Sequence, residues 1–246
     1  MSTTEPRHQE NVENLGVFIK DLQTFGDSYQ PSNTALTIDN LLQLKQQGIT
    51  ALDDVSVAVL ANKNAIAGRT YEYRDIDTLI TRVANTIRIS NAKQQNVDQA
   101  LSIIREIRGQ RVSPLLSDKE LAAEKEKGND IVQITKHNAT MKNQAINFGL
   151  LIKSLATLTE YNPNEVDLKI DALTAKQAAM VQQNELVDST AAILDSKRAA
   201  RQRVLYAETT GLINVGQSAK LYVKAAYGVN SWQYKQISNI RFINLD

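Results

Sequence analysis

Two histidines and no cysteine are all that this chain offers to soft-metal or thiol chemistry. His8 follows Glu5 by three residues, the Glu-x-x-His spacing by which helical bundles hold a carboxylate-bridged metal pair. Ile134 occupies the matching place before His137, so the motif occurs once, in an N-terminal stretch (MSTTEPRHQENVEN) without an apolar core. A metal centre is therefore not expected. Without cysteine there is no disulfide, thiolate ligand or thiol nucleophile. The phosphate-cradling patterns G-x-x-x-x-G-K-[ST] and G-x-G-x-x-G are absent, as is the nucleophile elbow G-x-S-x-G. Asp53-Asp54 is an isolated acidic pair that a solvated helix face explains. No catalytic residue and no cofactor is expected, and the chain reads as a non-enzyme.

Arginine is the residue type with more to offer. Arg69, Arg74 and Arg82 recur in one half of the chain, and Arg198, Arg201 and Arg203 in the corresponding part of the other. If the two groups met, Arg69, Arg74, Arg198, Arg201 and Arg203 would form a central layer able to grip an anion or phosphate with bidentate guanidinium forks. The same layer would equally serve as salt bridges to Asp75, Asp77, Asp195 and Glu208, fixing register. We expect the salt bridges. A second group lies near the C-terminus, where the single Trp232 stands close to Tyr227, Tyr234 and Phe242 in a chain with 5% aromatics. Trp232, Tyr234 and Phe242 are read either as a cap over the end of a bundle or as a partner-docking patch.

The elements that must position these residues are helices. Only ten glycines and four prolines punctuate the chain. Ile38, Leu41, Leu52, Val55, Val59, Ile66, Tyr73, Ile76, Ile80, Val83 and Ile87 fall on alternating steps of three and four whose remaining slots hold Lys45, Gly48, Asn62 and Arg69, and Val166, Ile170, Leu173, Met180, Val187, Ala191, Leu194 and Leu205 follow the same helical period. No period-two run bounded by turn residues competes, so the fold class is all-α. The long helices are expected to run from about 34 to 90 and from about 164 to 227, with kinks expected at Gly68, Gly211 and Gly216.

The chain also repeats itself. GVFIKDLQTF (16–25) returns as GLLIKSLATL (149–158), with five of ten positions identical. Tyr29-x-Pro31 returns as Tyr161-x-Pro163, LTIDNL as LKIDAL, Tyr73 as Tyr206 and Ile104-Arg105 as Ile240-Arg241, at offsets of 132 to 136. Five matches in one order predict a tandem-duplicated helical hairpin. Each hairpin bends at its proline. The architecture expected is an elongated antiparallel bundle with a pseudo-twofold axis, four long helices and short terminal ones. Its parts are a disordered N-terminus (1–8), a first repeat (9–111), a charged connector continuing into a helix (112–134) and a second repeat (135–246). Both repeats form one bundle domain. Ser117-x-x-Glu120 is a capping box within the connector.

With Lys plus Arg at 28 and Asp plus Glu at 27, the net charge of +1 gives no pull toward nucleic acid or an anionic membrane. VSVAVLA (55–61) and FGLLI (148–152) fall far short of the roughly 20 apolar residues of a membrane span. The N-terminus lacks a secretory pattern, so a cytoplasmic location is expected, with non-classical export left open. The function expected is that of a non-catalytic scaffold, assembly subunit or docking surface, with a protein partner or self-association. The alternatives are a soluble component of an α-helical pore-forming toxin and a phosphate-ligand protein using the arginine layer.

Overall fold

The computed structural model describes residues 5–110, 117–128 and 140–245. All regular structure among them is helical: α1 (Glu5–Gln23), α2 (Ile38–Tyr73), α3 (Ile76–Arg88), α4 (Gln94–Ile107), α5 (Asp118–Glu126), α6 (Met141–Ala156), α7 (Ile170–Tyr206), α8 (Leu212–Tyr227) and α9 (Trp232–Ile237), with short 3-10 turns. The all-α class holds. His137 and residues 112–116 and 129–134 of the connector lie outside the described residues.

The chain divides into two compact units. The first joins the chain's ends, residues 1–63 with 189–246; the second is continuous, residues 64–188. Each has its own core. In the first unit Leu15, Phe18, Leu22 and Leu41 pack with Leu205, Leu212, Ala219 and Val223. In the second, Ile80, Val83, Ile87 and Ile107 pack with Phe148, Leu151, Leu173 and Met180. Each of the two long helices contributes residues to both units, and within each unit their side chains meet. Thr190 donates to Asn62 and Lys197 meets Asp54 in the first; Lys176 meets Glu72 and Asn184 meets Tyr73 in the second.

The local chemistry follows the residues. Tyr29 and Tyr161, each starting a Tyr-x-Pro bend, donate their hydroxyls to the carbonyls of Leu36 (2.7 Å) and Leu168 (2.9 Å). A short 3-10 turn then precedes each long helix, at Thr34–Leu36 and at Val166–Leu168. The capping box of Ser117 and Glu120 opens α5.

Three expectations are corrected. The long helices stop at Tyr73 and Tyr206 rather than near 90 and 227, so two helices of 36 and 37 residues replace the four long ones expected. At 1.5 Å per residue each is about 55 Å. Of the glycines expected to kink a helix, only Gly211 sits at a break, as the N-cap of α8. There a Cβ would lie 2.4 Å from the Ala207 nitrogen, so the turn closes only on glycine. Gly68 and Gly216 are interior to α2 and α8. The break after Tyr73 has no glycine or proline; the Tyr73 hydroxyl is held by Met141 and Asn184, and Ile76 begins a new helix that buries Ile80, Val83 and Ile87. Finally, His8 is not in a frayed terminus. It lies in α1, is 5% exposed, and its Nδ1 is 2.6 Å from the Tyr206 hydroxyl.

Candidate functional site

The expected arginines are divided between the two units. Arg69 and Arg74 belong to the second unit, while Arg198, Arg201 and Arg203 belong to the first. The members of the expected layer are therefore described unit by unit. Arg74 lies over the Tyr71 ring at 4.0 Å and pairs with Asp75 at 2.9 Å, both exposed. Arg198 reaches Asp195 at 3.7 Å on the surface, Arg203 is exposed, and Arg201 is buried at 7% exposure. The acidic residues expected as partners do serve so in these two cases, though at the surface, where such pairs contribute little.

Arg69 is half-buried in the polar part of the second unit. Tyr73 donates to the Met141 carbonyl at 2.7 Å and accepts from Asn184 Nδ2 at 2.7 Å. Lys176 Nζ donates to Glu72 Oε1 (2.7 Å) and to the Glu72 carbonyl (2.6 Å). Burial pushes the Tyr73 phenol up, opposed by the Asn184 bond and the charge of Arg69. These contacts bind α2, α6 and α7 to one another.

The C-terminal aromatics divide. Phe242 is buried edge-on against Phe18 at 5.8 Å and seals the gap left by Gly216, whose Cβ would meet the ring at 2.8 Å. Tyr234 is half-buried, with Lys224 Nζ 5.8 Å from its ring. Trp232 packs edge-on to Phe25 at 5.4 Å yet remains 58% exposed. Of the trio, Trp232 alone is largely exposed.

A larger apolar surface lies on α2 within the first unit. Leu42, Ile49, Val57 and Leu60 are exposed, the last two at 61% each. With 3.6 residues per turn, 42, 49 and 60 fall within about 20° of one another and 57 about 60° away. The opposite side of the same helix is buried through Ala51, Val55 and Ala58. Beside it a groove of about 500 Å³ runs between α2 and α7, floored by Ala51, Ala200 and Val204 and edged by Gln43, Gln47 and the Asp54–Lys197 pair. The outer row was overlooked in the sequence because the buried stripe of the same helix dominates; its signal was the spacing of 42, 49 and 60.

No protein-family model, curated protein or solved structure matches this chain. Among the described residues no cluster of three or more His, Asp or Glu could hold a metal ion. No described helix is long and apolar enough to cross a membrane.

Proposed function

We propose that this chain is a non-catalytic scaffold that docks protein helices, its own or a partner's, on the outer face of α2. The observation carrying the reading is the row Leu42, Ile49, Val57 and Leu60, turned to water from a helix whose other side is already buried. Fully burying one such side chain is worth about 1.5–3 kcal/mol, so four in one sector favour an amphipathic helix laid along them. The near-zero net charge suits partners chosen by apolar shape rather than by field.

The test is light scattering on size-exclusion fractions over a wide concentration range, with wild type beside Val57→Ser/Leu60→Ser. Mass that grows with concentration in wild type only, or a defined partner held by wild type only, is the expected result. A strict monomer whose captured proteins are unchanged by the substitutions would sink the reading.

The same reading takes the chain as a doubled helical hairpin, each unit drawing on both copies. Support comes from the paired tyrosine-to-carbonyl bonds, the paired 3-10 turns and the equal burial of Tyr73 and Tyr206. Replacing residues 29–36 by the sequence of 161–168 should leave the chain folded, with a denaturation midpoint near that of wild type. Loss of cooperative unfolding in that exchange would argue against equivalence.

A further inference from the structure

In the second unit a groove of about 340 Å³ opens between α3 and α4, lined by Thr81, Ala84, Arg88, Leu101, Arg105 and Arg108. No carboxylate lines it. Arg108 is the anchored member: its Nη2 donates to the Thr81 hydroxyl and its Nε lies 3.7 Å from Asp77 Oδ1 at the rim. Arg88 and Arg105 have no acidic partner among the described residues. Arg88 Nη1 donates to Asn85 at 3.1 Å and Arg105 Nε to the Leu101 carbonyl at 3.4 Å, each within its own helix.

Helix dipoles explain part of this. Arg88 and Arg105 stand in the last turns of α3 and α4, where a cation is favoured. That preference accounts for a charge at each helix end. It does not account for three guanidiniums around one cavity, an arrangement that costs mutual repulsion unless an anion enters. The corresponding positions of the first unit, at the offsets of the sequence repeat, hold no such arrangement. Leu221 stands for Arg88 and Asn244 for Arg108, and only Arg241 answers Arg105. There Gln217 donates to the Phe242 carbonyl at 3.3 Å.

We propose that the α3–α4 groove of the second unit binds a small phosphate-bearing anion. Guanidinium forks match phosphate oxygens bidentately, and with Asp77 offsetting Arg108 the groove presents two uncompensated charges, suited to a multiply charged group. The inference is independent of the docking face, which lies in the other unit.

The experiment is calorimetric titration of the full chain with pyrophosphate at low ionic strength, with citrate as a second arm. Saturable binding is expected, weakening as salt rises. Arg88→Gln/Arg105→Gln should weaken it roughly tenfold per arginine. Arg241→Gln should leave it unchanged. All three side chains are exposed, so the far-UV spectrum should not change. No saturable binding in wild type, equal binding by the double variant, an equal loss in Arg241→Gln, or tighter binding of citrate than of pyrophosphate would each overturn the proposal.

Discussion

Tyr29 and Tyr161 show what one hydroxyl does in this molecule. Each phenol is buried beside its proline bend and donates to a carbonyl that would otherwise lack a partner. Burial pushes both pKa values above the ordinary 10, that of Tyr161 to about 12 and that of Tyr29 higher still. The unfolded chain releases these protons near pH 10, whereas the folded chain holds them. Stability from this source is therefore complete below pH 10 and declines as pH rises toward 12. Denaturant midpoints measured from pH 9 to 12 should fall across that window. Tyr161→Phe should lower stability at neutral pH by about 1–2 kcal/mol through the orphaned Leu168 carbonyl, and should make the alkaline decline shallower. An unchanged alkaline slope would mean that another group governs it.

Among the elements, the glycines of the long helices separate two kinds of constraint. Gly211 closes the turn between α7 and α8 against Ala207 backbone, so Gly211→Ala should cost roughly 2 kcal/mol or more. Gly68 faces only the flexible end of Gln183, at 3.0 Å, and lies inside a helix; Gly68→Ala should be neutral or stabilise by up to about 1 kcal/mol. Urea denaturation of both variants distinguishes the two. This contrast also marks what the sequence made legible. Apolar stripes, Tyr-x-Pro bends and the Ser117–Glu120 box are local patterns, and they appear where local physics puts them. The end of α2 at Tyr73 was not legible, because the partners holding that tyrosine are 68 and 111 residues away. The burial of His8 is hidden for the same reason, its partner Tyr206 being 198 residues distant. The candidate sites were half legible: arginine and tryptophan stood out by type, but which arginines share a cavity depends on the pairing of α3 with α4.

For the whole molecule, the partition of the chain leaves neither sequence half with a complete set of packing partners. Residues 1–116 hold α1 without the α8 it packs on, and α4 without α6. That fragment, and 117–246 likewise, should show no cooperative thermal transition alone, and mixing the two should restore one. A fragment that melts cooperatively by itself would contradict the partition. Within the intact chain, Leu15→Ala and Leu151→Ala, one in each core, should each cost about 2–5 kcal/mol. The first unit is closed by contacts such as Ser28 with Tyr227 and Asn11 with Ile243. During translation α1 leaves the ribosome early and must keep Phe18 and Leu22 out of trouble until the codons near position 212 have been read. At 5–20 residues per second that interval is on the order of ten to forty seconds, long enough for a chaperone to be the first surface this helix meets.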